Sequence, residues 1–74
     1  MLKLKEGIEI KNLEKYDLKL QLEGDWYIEK HFKSFFRVNA YTRQVDYTLD
    51  RPNLNLIWKM MQDGIIEDTG VLDF

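Results

Sequence analysis

Ser34–Leu49 (SFFRVNAYTRQVDYTL) and, directly after it, Arg51–Glu67 (RPNLNLIWKMMQDGIIE) decide how this chain folds. In the first stretch Phe36 and Val38, then Val45, Tyr47 and Leu49, recur at every second position on either side of the polar NAYTR segment, residues 39–43. Strand side chains alternate between faces, so this pattern reads as an aromatic-rich β-hairpin with one apolar face. Phe35, Arg37 and Asn39 then face away. The hairpin tip reads as a type I turn closed by Arg43 in the left-handed region. Glycine is favoured there, so Arg43 carries a cost of about 1 kcal/mol and Arg43→Gly is expected to be neutral or mildly stabilising.

In the second stretch Leu54, Ile57, Trp58 and Met61 stand at i, i+3, i+4 and i+7, an amphipathic helix stripe that Leu56 and Met60 widen. Pro52 suits the first turn, and Asp50 or Asn53 can cap the free N–H groups. Gly64 is placed to end the helix in a left-handed conformation, with Ile65 folding back on Met60.

Upstream, Leu2 and Leu4 alternate with Lys3 and Lys5 as a short strand, which Gly7 breaks. Ile10, Leu13 and Tyr16 are spaced by three, which suits one or two helical turns; a continuous extended segment is the alternative. Leu18, Leu20 and Leu22 restore the period of two, and Glu23-Gly24-Asp25 is a turn. Trp26–Phe32 then reads as a strand with Trp26 and Ile28 on the apolar face and Tyr27, Glu29 and His31 on the other. Lys33-Ser34 is a turn or bulge leading into Phe36 and Val38. Ile65–Glu67 can add a short strand, and Thr69–Phe74 reads as a loose tail unless Val71, Leu72 and Phe74 dock.

The expected architecture is one α+β domain over residues 1–74. It has a small antiparallel sheet of three to four strands, with one C-terminal helix from about Asn53 to Asp63 packed on one face. The residues expected to be most buried are Leu20, Trp26, Ile28, Phe36, Val38 and Tyr47 in the strands, and Leu54, Ile57, Trp58 and Met61 in the helix.

A chain of 74 residues buries only ~60% of the surface its unfolded form exposes, so its core must be dense. No Cys is present to add a disulfide or thiolate metal site, and His31 is the single histidine. An apolar content of 45% excludes a disordered chain. The net charge of −2 is divided unevenly: residues 1–45 carry nine Lys/Arg against seven Asp/Glu, and residues 46–74 carry two against six. A dedicated nucleic-acid binder shows a larger basic excess. No apolar run approaches a membrane span, and the opening MLKLK lacks the apolar region of a signal peptide. The default is a soluble cytoplasmic protein without membrane contact.

The inventory supports no catalytic, cofactor or metal site. His31 has no nucleophile to activate, since Ser34 is the sole serine. Asp63, Glu67 and Asp68 match no calcium-loop spacing, and Gly64 and Gly70 form no phosphate loop. Binding is the expected mode of action, without turnover. The candidate interaction surface is Tyr27, Phe35, Arg37 and Tyr41, with His31 and Lys33 at its rim. Aromatics and arginine on one sheet face suit contact with another protein or with a second copy in a homodimer. The alternative is single-stranded nucleic acid stacked on Tyr27, Phe35 and Arg37. The bland reading makes Tyr27 and Phe35 a cross-strand pair that stiffens the hairpin. Ten aromatics exceed what one thin core consumes, which favours the binding reading.

The opening LKLKEGIEIKNLEKYDL (Leu2–Leu18), the hairpin FFRVNAYTRQVDY (Phe35–Tyr47) and the closing LNLIWKMMQDGIIE (Leu54–Glu67) together resemble a group of short phage- and prophage-encoded proteins of low-GC Gram-positive bacteria. The resemblance brings no activity and no site residue with it. It implies a small accessory protein made in a bacterial cytoplasm, acting on a host or phage component.

Overall fold

A computed structural model of the chain describes residues 1–30 and 35–70. Strands β1 (Leu2–Leu4), β2 (Leu20–Glu23), β3 (Trp26–Glu29), β4 (Phe36–Asn39), β5 (Gln44–Tyr47) and β6 (Ile66–Asp68) form a single sheet in the order β2-β3-β4-β5-β1-β6. Every neighbouring pair is antiparallel. A 3-10 helix (Ile10–Tyr16) and the α-helix α1 (Arg51–Gln62) pack on one face. The class is α+β as the sequence suggests, but the sheet has six strands where three to four were expected. The extra width comes from β1 and β6. Each has only three residues, and β1 inserts between β5 and β6, pairing Leu2 with both Val45 and Asp68. Local spacing carries no signal of partners so distant in sequence.

The 3-10 helix falls where the period of three predicts helical turns, so the extended alternative does not hold. Asn12 Oδ1 accepts from the Glu9 N–H at 2.7 Å at its start, and Asp17 ends it with φ 62°. Leu13, on its inner side, is fully buried. At the start of α1 the Asp50 carboxylate accepts from the Asn53 N–H at 3.0 Å. At its end the Ile65 N–H bonds to Met60 O at 2.9 Å and the Gly64 N–H to Met61 O at 3.1 Å, with Gly64 at φ 74°. That is the paired pattern of a Schellman stop.

Two phases differ from the sequence reading. In α1 the buried residues are Asn53, Ile57 and Met60, while Leu54, Trp58 and Met61 are exposed. Trp58 is 66% exposed, so the expected inward stripe of Leu54, Trp58 and Met61 is corrected. Asn53 sets the rotation: its side-chain amide donates to Phe35 O at 2.6 Å, Thr48 O at 3.1 Å and Thr48 Oγ1 at 3.0 Å. Turning that amide inward shifts the helix by one residue, about 100°.

In the sheet, Tyr27 lies opposite Val38, whereas Trp26 lies opposite Asn39 and Ile28 opposite Arg37. Directly paired residues share a face, so Tyr27 is on the helix-covered side and Trp26 and Ile28 are on the open side. The expected assignment of both is reversed, as a one-residue change of register requires. The turn or bulge read at Lys33-Ser34, like His31, Phe32 and the tail residues Val71, Leu72 and Phe74, lies outside the described residues. The start of the tail is tied down: the Thr69 N–H bonds to Met1 O at 3.0 Å and the Gly70 N–H to Asp68 Oδ1 at 3.0 Å. The Gly70 bond, and after it the hydrogen bond and charge of the N-terminal ammonium, hold the Asp68 carboxyl below its usual range.

The core joins Leu4, Phe36, Val38, Val45 and Ile66 from the sheet to Leu13, Leu18, Ile57, Met60 and Ile65 above it. Of the expected core, Phe36, Val38 and Ile57 are buried; Leu20 and Tyr47 pack partly buried against them. Arg43 has φ 66°, as the hairpin turn predicts. Asn39 Oδ1 accepts from the Tyr41 and Thr42 N–H groups at 2.8 and 2.9 Å and shapes that turn. The Arg43 guanidinium reaches back to β1's exit, donating to Lys5 O at 2.6 Å and to Ile8 O. This side chain is a clamp, and a neutral Arg43→Gly no longer follows.

Candidate functional site

The open sheet face holds the nearest thing to the expected interaction surface. Arg37 projects there from β4. Its guanidinium lies 3.7 Å from the centre of the Trp26 ring and 5.2 Å from that of Phe35. Asp46, opposite on β5, accepts from Arg37 Nε at 3.0 Å and lies 2.9 Å from the second terminal nitrogen. Of the four expected residues, Phe35 and Arg37 come together, with Trp26 in the place foreseen for Tyr27. Tyr27 is half-buried on the opposite face. Tyr41 is 76% exposed in the β4–β5 turn, beyond the strand ends. The aromatic ring beside Arg37 was legible as a residue type but not as a residue number, because the parity of β3 against β4 decides it. The arginine's charge is taken up by Asp46, so the face is less cationic than its sequence suggests.

A second apolar surface runs along the outside of α1. Leu54, Trp58 and Met61 occur at i, i+4 and i+7 and therefore share one side of the helix, each more than two-fifths exposed. The sequence reading identified this stripe but aimed it inward. Its direction is fixed by Asn53, a polar residue that hydrophobic periodicity ranks as outward.

At the other end of α1, Tyr16 Oη donates to Asp63 Oδ2 at 2.6 Å and Lys15 Nζ lies 3.8 Å from the same oxygen. Burial, then the bond to Asp63, then that carboxylate's charge raise the Tyr16 phenol well above its ordinary range. It stays protonated and latches the 3-10 helix to the helix end. A groove of about 460 Å³ opens between the 3-10 helix and the start of β2, with Ile10, Leu18 and Leu20 beside Lys11, Glu14, Asp17 and Lys19.

No cluster of three or more potential metal ligands occurs among the described residues, nor any helix long and apolar enough to cross a membrane. The geometry offers surfaces: an aromatic face centred on a neutralised arginine, an exposed apolar helix stripe, and a groove along a sheet edge. Comparison of the chain with protein-family models, curated proteins and solved structures gives no match.

Proposed function

We propose that this chain is a non-enzymatic binding module that acts by holding another protein, with the outer stripe of α1 as its contact surface. The observation that carries the reading is the exposure of Leu54, Trp58 and Met61 on one side of a helix whose other side already fills the core. Water-exposed Leu, Trp and Met in register are costly for a domain that binds nothing, and large aromatic and Met side chains are the enriched anchors of protein interfaces. A phage-type accessory role in a bacterial cytoplasm, acting on a host or phage component, is the context this proposal adopts from the sequence resemblance.

Leu54→Ser/Trp58→Ser tests it. Both side chains are exposed, so the fold and melting temperature are expected to hold. The wild-type protein, immobilised, is expected to retain a defined protein from bacterial lysate that the double variant releases. Identical retention by both, or none by the wild type, would overturn the proposal. A second reading, single-stranded nucleic acid on the open face, rests on Trp26 and Phe35 flanking Arg37. Asp46 weighs against it by occupying that cation. Retention on single-stranded DNA that falls steeply with salt would favour it instead.

A further inference from the structure

We propose that β2 is a self-pairing edge, through which two copies of this chain join their sheets across a two-fold axis. Among the described residues the sheet has two edge strands, β2 and β6. In the β2–β3 hairpin the Lys30 N–H donates to Lys19 O at 2.9 Å, and the pairing runs Leu20 to Glu29, Gln21 to Ile28, Leu22 to Tyr27 and Glu23 to Trp26. Hydrogen-bonded and non-bonded pairs alternate along an antiparallel ladder. Lys19, Gln21 and Glu23 therefore aim their backbone groups at β3, and Leu20 and Leu22 aim theirs off the sheet.

The segment from Lys19 to Glu23 (KLQLE) is complementary to itself when reversed. With Gln21 opposite Gln21 of a second copy, Leu20 meets Leu22 and Lys19 meets Glu23, each pair occurring twice. The Leu20 and Leu22 backbone groups of the two copies then exchange hydrogen bonds, as in strand addition. Shifting the register one way sets Glu23 against Asp17; shifting it the other way sets Leu20 against Gly24. The central register is favoured by both charge and packing.

Lys19 and Lys30 lie next to each other across the hairpin, and Glu23 already makes an ion pair with Lys30. A second carboxylate from the other copy completes this group. Leu22 is 53% exposed in one copy, and in the pair it lands beside Leu20 at the mouth of the groove lined by Ile10 and Leu18. The other edge behaves oppositely. Centred self-pairing of β6 sets Glu67 against Glu67, and a like-charged pair directly opposed is destabilising. Charge thus guards β6 and complements β2. The proposal is independent of the α1 stripe.

Sedimentation of the purified chain over a range of concentrations at low salt is expected to show a monomer–dimer equilibrium. Lys19→Glu and Glu23→Lys should each weaken it by about tenfold or more, ~1.4 kcal/mol or beyond. A mixture of the two single variants should dimerise again, as should the double swap in one chain. Leu22→Pro should abolish pairing while leaving the hairpin folded, because the amide it removes points off the sheet. Leu54→Ser/Trp58→Ser should dimerise like the wild type. A monomer at all concentrations, swaps without effect, weakened singles that fail to recover on mixing, or a dimer lost only with the α1 pair would each overturn the proposal.

Discussion

Arg43 and Asn53 are the two residues at which a local preference is overruled by contacts. Arg43 holds φ 66°, a conformation that costs about 1 kcal/mol relative to glycine, yet its guanidinium bridges Lys5 O and Ile8 O. A charged group's hydrogen bonds contribute about 1.5–3 kcal/mol when formed in partly buried sites, more than the backbone relief that glycine offers. Urea unfolding should therefore rank wild type above Arg43→Gly, and Arg43→Gly above Arg43→Ala, which loses the clamp and keeps the strain. An Arg43→Gly variant more stable than wild type would show that the clamp contributes nothing. Asn53 is fully buried with its amide on two backbone carbonyls. In Asn53→Asp a carboxylate would face those same oxygens, an uncompensated buried charge worth about 3–5 kcal/mol of destabilisation. Burial raises the folded-state pKa of the new carboxyl above its unfolded value. Stability is then highest below the unfolded pKa and is lost as pH rises toward the folded one. The deficit relative to wild type, followed by urea midpoint, should shrink between pH 7 and pH 4; a deficit flat with pH would show that the site admits water.

At the scale of the element, the ends of α1 were legible and its rotation was not. Asp50 and Gly64 act through local chemistry, so a cap and a Schellman stop can be read from residue types alone. Rotation depends on what the helix meets. Both candidate stripes, Leu54/Trp58/Met61 and Asn53/Ile57/Met60, have helical spacing, and the one containing an asparagine is inside, where its amide donates to Phe35 O and Thr48 O at the end of the β4–β5 pair. The β3 strand repeats the lesson: alternation was clear from Trp26 to Glu29, but which set faces the helices depends on how β3 pairs with β4. Of the candidate site, Phe35 and Arg37 were recoverable for the same reason that Tyr27 was not, since they belong to the hairpin whose register was read correctly. The stripe assignment is checked by contrast. Met60→Ala should cost about 2–5 kcal/mol by opening a cavity, whereas Trp58→Ser should stay within about 0.5 kcal/mol of wild type. A melt in which Trp58→Ser is the more damaging of the two would return Trp58 to the core.

For the whole molecule, the sheet is assembled from one local and one non-local part. Strands β2 to β5 follow one another as a meander, each beside its sequence neighbour. Strand β1 must cross to lie between β5 and β6, pairing Leu4 with Ile66 while the Leu4 N–H bonds to Arg43 O at 3.0 Å. Closing loops of that length costs chain entropy before any contact offsets it, so the meander should form first and β1 and β6 should dock on it afterwards. Val38, fully buried in the meander, and Leu4, 3% exposed in β1, report on the two stages. Val38→Ala should slow refolding by a large part of its effect on stability, a φ-value of about 0.5 or more. Leu4→Ala should lose a comparable amount of stability almost wholly through faster unfolding, because its contacts are absent from the transition state. Stopped-flow folding and unfolding in urea measures both arms. If Leu4→Ala slows folding as much as Val38→Ala does, the two ends of the chain meet early and the sheet forms around β1 instead of closing on it.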